Sequence, residues 1–346
     1  MNEIDQKYMQ RCMELARLGA GSVAPNPMVG AVLVHAGRII GEGYHQQYGQ
    51  AHAEVNCINS VPEADQVLIS SSTLYVSLEP CAHFGKTPPC SDLIIRNGIK
   101  KVVIGCRDPF MEVDGKGIEK LQQAGVEVIT GIAEAACKEL NRRFFCMVQK
   151  KRPYVILKWA QTANGMIAGN SSERVLISNE YSNHLVHQWR SEEAAILVGT
   201  NTAMHDDPSL TNRLWTGNSP VRMVLDMHLR LPKSLQLFNP QQTTVVINAQ
   251  KEAVEGNIVY KKAEASDAVV KQILSIAYQL QLQSILVEGG AQLLQSFISE
   301  GFWDEARIIT NTTLTIANGL PAPTLAKEVL MQKQQLQNDT ITFFTN

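Results

Sequence analysis

His52, Glu54, Cys81 and Cys90 are the residues of this chain whose types and spacing could do chemistry. One imidazole and two thiols are three ligands of the kind a zinc ion takes, and three protein ligands leave a fourth position for water. A purely structural site would close that position with a fourth side chain. Glu54 lies two residues after His52, so the first turn of a helix can lean both toward one pocket. A carboxylate beside an activated water is suited to general acid and base work rather than to ligation.

The elements that must position these residues can be read around them. Ala53 to Ile58 reads as a helix opening just after His52. Val29 to Val34 and Arg38 to Tyr44 read as two strands around a turn at Ala36-Gly37. Thr73 to Leu78 reads as a strand running into Glu79-Pro80-Cys81. Cys81 is then expected at the mouth of the next helix, where amide dipoles favour a thiolate, with Cys90 following after a loop. The order H-x-E, then P-C, then a second Cys is the pattern of hydrolytic zinc deaminases.

Eight residues separate the two cysteines, from Ala82 to Pro89, where base and nucleoside deaminases typically have two. With Ala24-Pro25-Asn26-Pro27-Met28-Val29-Gly30 and Gly105-Cys106-Arg107-Asp108-Pro109, residues 8–147 resemble the deaminase half of the bifunctional deaminase/reductase family of riboflavin biosynthesis. The resemblance implies a cytidine-deaminase-like three-layer domain. It implies zinc on His52, Cys81 and Cys90, Glu54 as the catalytic group, and substrate contacts at Asn26, His83, Lys86 and Asp108.

A boundary is expected near Lys150-Lys151-Arg152-Pro153, giving domains 1–149 and 150–346. Before it, Glu134 to Val148 reads as one helix with a stripe of Ala136, Leu140, Phe144 and Met147. After it, strands at 154–160, 194–199, 221–226, 243–247 and 284–290 alternate with helices at 179–191 and 266–282, predicting a largely parallel, covered sheet. No G-x-G-x-x-G follows a strand, which argues against a Rossmann dinucleotide site. Glu288-Gly289-Gly290 does open backbone amides to an anion at a strand–helix junction.

The second-half runs Lys158 to Gly165, Ala195 to Thr202, Asp206 to Arg213 and Val287 to Gly290 resemble the reductase half of the same family. The fold implied is α/β and dihydrofolate-reductase-like, with NADPH as cofactor. The resemblance implies cofactor contacts at Ala160, Leu176, Thr202, Asp206 and Gly290, and substrate contacts at Lys158, Arg174, Leu210, Arg213 and Glu288. The chain departs from the family pattern where Leu176 replaces a common Trp, Arg174 a Ser, and Met227 a hydroxyl residue after the strand Asp. Together the halves imply hydrolytic deamination of 2,5-diamino-6-(5-phosphoribosylamino)pyrimidin-4-one, then NADPH-dependent reduction of its ribosyl group to ribityl.

Composition narrows the partners. The 346 residues suggest two domains, and 45% apolar with 18% charged residues suits a globular chain. Lys plus Arg number 15 against 16 acidic residues over 1–150, and 16 against 17 over the rest. A protein acting on duplex or transfer RNA would be expected to carry a basic surface, so a small phosphoribosyl-pyrimidine is the expected substrate and no nucleic acid partner is expected. All seven Cys lie in the first 146 residues without paired spacing, which suggests reduced thiols in the cytoplasm. The N-terminus lacks a basic-then-apolar signal, and no apolar run nears the ~20 residues of a membrane span, so no membrane partner is expected. Homo-oligomeric assembly is expected.

Overall fold

Ala36 and Gly37 both sit at positive φ, 47° and 81°. Two such residues in a row make the turn whose twist suits a two-residue hairpin. They join β1 (Gly30–His35) to β2 (Arg38–Tyr44). The computed structural model describes residues 3–84, 88–170, 175–264, 268–326 and 328–346, and Lys86 and Arg174 lie outside them. Two units separate in it, Met1–Lys151 and Arg152–Asn346.

In the first unit α1 (Glu3–Arg17) precedes the hairpin. There follow α2 (Ala53–Asn59), β3 (Thr73–Leu78), α3 (Cys90–Arg96), β4 (Lys101–Cys106), α4 (Lys116–Gln123), β5 (Glu127–Thr130), α5 (Glu134–Leu140) and α6 (Arg142–Phe145). The strands order as β2-β1-β3-β4-β5. β1 is antiparallel to both its neighbours, and β3, β4 and β5 are parallel. Period-2 alternation sends Leu33, Leu74, Val76, Val102 and Ile104 to one face, against Cys57, Ile94 and Leu121 of α2, α3 and α4. It sends Val32, Tyr75 and Val103 to the other, against Met9 and Cys12 of α1 and Cys137 of α5. These are the three layers.

Two expectations need correcting. The helix after β3 begins at Cys90, not Cys81, which lies in the preceding loop. The helix expected over 134–148 is broken: Asn141 separates α5 from α6, and a π turn spans Cys146–Lys150. Asn141 is buried, with its side chain accepting from Met28 N at 2.8 Å and donating to Met28 O at 2.8 Å, a long-range grip that outweighs helix continuity.

The second unit runs β6 (Tyr154–Gln161), β7 (Met166–Gly169), α7 (Glu180–Glu192), β8 (Ala195–Gly199), α8 (Thr200–Asp206), β9 (Val221–Leu225), β10 (Thr244–Asn248), β11 (Ala253–Glu255), β12 (Ile258–Lys262) and α9 (Val269–Gln279). It ends with β13 (Ser284–Val287), α10 (Ala291–Ser299), β14 (Glu305–Asn311), β15 (Gly319–Pro321), β16 (Val329–Leu336) and β17 (Asp339–Thr345). A ten-stranded sheet orders as β11-β12-β10-β9-β8-β13-β6-β14-β17-β16. From β12 to β14 every pair is parallel, and the antiparallel pairs lie outside them. Leu157, Leu197, Met223, Ile247 and Val287 pack on α9 and α10. Ile196, Val198, Val224 and Val246 face the opposite way, with Ala203, Leu210 and Tyr260. Among the described residues no helix is long and apolar enough to cross a membrane.

β2 fixes α2, and through it His52 and Glu54. A methyl at Gly43 would lie 2.2 Å from Cys57 N and 2.7 Å from Ala53 O of that helix. Gly43→Ala should therefore destabilise the first unit by about 1–3 kcal/mol through overpacking. All four Trp lie in the second unit, so a far-UV dichroism transition should move to lower denaturant while the Trp fluorescence transition stays. An unchanged dichroism curve would contradict this packing.

Candidate functional site

His52 stands at the N-cap of α2, Cys81 in the loop after β3, and Cys90 at the first residue of α3. Their ligand atoms all lie within 4.8 Å of one another. His52 Nδ1 is 3.3 Å from Cys90 Sγ and 3.7 Å from Cys81 Sγ. The edge joining N and S around a tetrahedral zinc, from bonds near 2.0 and 2.3 Å, is about 3.6 Å. Donor types and spacing thus both fit zinc. The Cys90 amide donates to Cys81 Sγ at 3.3 Å, so the mouth of α3 does reach the first thiol even though the helix starts at the second. Hydrogen bonds from Cys90 and His52 hold the Cys81 thiol down to about 4.

Glu54 is 3% exposed, in the first turn of α2, two residues after His52. Burial pushes its carboxyl up, while the nearby His52 opposes the shift. Asn56, one turn of α2 from His52, donates to Tyr44 O at 2.8 Å and ties the helix to β2.

Of the other first-unit candidates, Asn26, His83 and Asp108 lie among the described residues and Lys86 does not. Asn26 Nδ2 lies 3.2 Å from Nε2 of His45, whose Nδ1 is 3.0 Å from Ala51 O. A carbonyl only accepts, so Nδ1 carries the proton and Nε2 accepts from the Asn26 amide. His45 is buried, its ring lies edge-on 5.4 Å from that of His52, and burial pushes its pKa down. Sequence reading missed His45, although its place in Gly43-Tyr44-His45 just before the metal helix was a signal. His83 Nε2 is 3.8 Å from Glu112, its ring packs near Phe110, and its buried Nδ1 finds no partner among the described residues. Asp108 is buried, its Oδ1 accepts from Phe110 N at 2.8 Å, and burial pushes its carboxyl up to about 7.

In the second unit, Glu288 follows β13 and accepts two hydrogen bonds from Arg190 of α7, each 2.8 Å. Lys158 Nζ of β6 is 3.6 Å away. Burial raises the Glu288 pKa, but Arg190 and Lys158 outweigh it and hold the carboxyl at about 2. Arg190 also donates to Thr211 O at 3.2 Å. The Arg213 amide donates to His187 Nδ1 at 2.9 Å, and its guanidinium reaches Ser209 and Thr211. Burial, Arg190 and Arg213 push His187 down to about 4. Lys158, Glu288 and the segment bearing Arg213 are therefore brought together. Arg190 and His187, three residues apart on α7, are the members that sequence reading missed.

Gly290 caps α10 at φ 72°, and a methyl there would lie 3.3 Å from Thr202 Oγ1. A methyl on Gly289 would lie 2.8 Å from Val198 Cγ1. Thr202 and the glycines thus pack closely at the N-terminus of α10, whose first-turn amides have no partner within the helix and suit the phosphates of a nicotinamide dinucleotide. Asp206 ends α8, one turn beyond Thr202, and Ala160 lies two residues along β6 from Lys158. Leu210 is buried at φ 53°. Leu176 is 77% exposed ahead of α7.

A family model described as cytidine and deoxycytidylate deaminase zinc-binding region matches residues 2–106, and one described as RibD C-terminal domain matches 153–341. Riboflavin biosynthesis protein RibD of Aquifex aeolicus is 38% identical, over 99% of each chain. That of Actinobacillus pleuropneumoniae is 41% identical over 86% of this chain and 81% of its own. A crystal structure of a diaminohydroxyphosphoribosylaminopyrimidine deaminase/5-amino-6-(5-phosphoribosylamino)uracil reductase from Thermotoga maritima superposes with a TM-score of 0.91 at 36% identity, over 99% of each chain.

Cys81→Ser and Cys90→Ser should each lose most of about one zinc per chain on metal analysis, since a thiolate ligand goes. Full retention in both would remove them as ligands. Glu288 allows a pH test. Its folded pKa of about 2 lies below the ordinary 4.5, so it contributes stability above pH 4.5 that is lost as pH falls toward 2. That contribution is about 3 kcal/mol. Glu288→Gln should flatten this part of the stability curve, followed by Trp fluorescence in urea, and an equally steep loss in the variant would contradict the assignment.

Proposed function

The chain belongs to the RibD family of riboflavin biosynthesis, a deaminase joined to a reductase, and from that premise we propose the substrates, cofactors and residues of its two activities. Residues 1–149 deaminate 2,5-diamino-6-(5-phosphoribosylamino)pyrimidin-4-one, and residues 150–346 reduce the product's ribosyl group to ribityl with NADPH. The observation that carries the first half is the convergence of His52, Cys81 and Cys90 within 4.8 Å, with Glu54 buried against Cys90.

The trio would hold one zinc ion, which when bound acidifies a water at the position that three ligands leave open. Glu54 would take one proton from the attacking water and give it to the ring nitrogen, then take the proton of the resulting hydroxyl and give it to the departing amine as the carbonyl forms. The carbon–nitrogen bond breaks and ammonia leaves. Asn26, with its amide orientation set by His45, and His83, Lys86 and Asp108 would hold the pyrimidine and its phosphoribosyl arm. The buried Nδ1 of His83, which finds no partner among the described residues, supports that reading.

In the second unit NADPH would supply hydride to C1′ of the opened ribose, and the protein's part is orientation. Ala160, Leu176, Thr202, Asp206 and Gly290 are assigned to the cofactor, supported by the close packing of Gly289-Gly290 on Thr202 at the N-terminus of α10. Lys158, Arg174, Leu210, Arg213 and Glu288 are assigned to the substrate. Arg213 suits the phosphate, because a guanidinium donates two parallel hydrogen bonds. Glu288, kept anionic by Arg190 and Lys158, is a fixed acceptor. We place the enzyme in the cytoplasm, which the five unbridged cysteines outside the metal trio favour. Homo-oligomeric assembly would cover the edge strand β16, where Val329, Leu330 and Met331 stand exposed.

Mass analysis of products made from the diaminopyrimidine phosphate, with and without NADPH, tests both steps. Glu54→Gln should keep zinc and lose ammonia release by about 10²–10⁴-fold or more, yet still reduce a supplied deaminated intermediate. Arg213→Ala should deaminate normally and lose about one to two decades in reduction efficiency, the value of a charged hydrogen bond. Either change abolishing both activities in a folded chain would refute separate sites.

A further inference from the structure

Glu79 follows β3 directly, two residues before Cys81, and is 4% exposed. The hydrogen bonds to its carboxylate come from backbone. Oε2 accepts from Asp108 N at 3.3 Å and Gly115 N at 3.1 Å. Oε1 accepts from Gly117 N at 3.0 Å and Ile118 N at 3.3 Å. Gly115 is the N-cap of α4, and Gly117 and Ile118 lie in its first turn, where amides have no partner within the helix. A negative group is favoured there by the helix dipole as well. One carboxylate therefore grips the segment 108–115 at both its ends.

That segment forms a wall beside His83, two residues after Cys81. It carries the buried Asp108, Phe110 packed near His83, and Glu112 within 3.8 Å of His83 Nε2. Gly117, just beyond it in α4, packs close to the metal loop, since a methyl there would lie 2.0 Å from Pro80 O. Cys81 has other support. Its sulfur accepts from Cys90 N at 3.3 Å, and its carbonyl accepts from Ser91 N at 3.1 Å. The metal ligands are thus tied to α3, whereas the wall is tied to Glu79.

We propose that Glu79 is a positioning residue of the deaminase site, holding the Asp108–Glu112 wall in register with the metal trio so that substrate meets a preformed surface. The inference rests on the deaminase reading above. A carboxylate has the lone pairs to satisfy all four amides, and each oxygen takes two of them. Glu79→Gln puts an NH2 group where two amides already donate, so those amides lose their acceptor and the wall slackens while the trio keeps its own ties.

The test uses the full chain, with the diaminopyrimidine phosphate as substrate. Glu79→Gln should raise KM for deamination about tenfold or more, while kcat and zinc per chain stay within about twofold of wild type. Reduction of a supplied deaminated intermediate should be unchanged. A merely structural role would lower the active fraction, and so kcat, at constant KM. A wild-type KM, or a kcat that falls in step with lost zinc, overturns the proposal. Glu79→Asp keeps the charge but is one methylene too short to reach all four amides, and should raise KM likewise. If Glu79→Gln does not fold, Glu79→Asp decides, and a wild-type KM there overturns the proposal. A wild-type chain that releases no ammonia from this substrate would instead sink the deaminase reading itself.

Discussion

Burying a carboxylate is the constraint on which both units depend. An ion removed from water loses several kcal/mol of solvation unless donors replace it. Unit one meets this at Glu79 with four backbone amides. Unit two meets it at Glu288 with two cations, Arg190 and Lys158. The two solutions have different consequences. Amides belong to the chain's path, so gripping them fixes where a loop runs. Cations belong to side chains, so gripping them fixes a charge and leaves the path to the sheet.

The sheets explain why these carboxylates lie where they do. Glu79 follows the end of β3, and Glu288 follows the end of β13. Both strands are central, with neighbours on each side, and each is parallel to at least one of them. Side chains just beyond the carboxyl ends of parallel strands meet the N-termini of the helices that follow, and this is where open α/β sheets bind ligands. Close approach of backbone is then required, which is what Gly117 permits beside Pro80 and Gly289 beside Val198.

The metal trio and Glu54 were legible in the sequence because each chemistry belongs to few residue types and each residue lies at an element's end, where local pattern is strongest. The strands were legible for a related reason: β2 and β3 match the runs that the Ala36-Gly37 turn and Glu79-Pro80 bound. What escaped reading was settled by contacts distant in sequence. Asn141 breaks a helix because Met28 receives its side chain, 113 residues away. Arg190 reads as one more polar position on α7 until Glu288, 98 residues on, is found beneath it. Glu79 looks like a loop residue next to a proline, and only the turn at 108–118 reveals its four donors. The cluster of His52, Cys81 and Cys90 was therefore readable, and the distant contacts around it were not.

Glu54 and Glu288 show how one residue type is given two tasks by its surroundings. Glu54 is buried beside thiols and an imidazole, and desolvation pushes its carboxyl up. A group so placed can gain and lose a proton at modest cost, which hydrolytic loss of an amine requires at successive steps. Glu288 is held at about 2 by an arginine and a lysine, so it stays charged well below neutral pH. In the proposed reading it would be a fixed acceptor against which a polyhydroxylated chain is oriented, while the cofactor supplies the hydride. Exchanging the environments would defeat both steps: a permanently charged Glu54 could not deliver a proton, and a neutral Glu288 would release Arg190 and Lys158 from the carboxylate that aligns them.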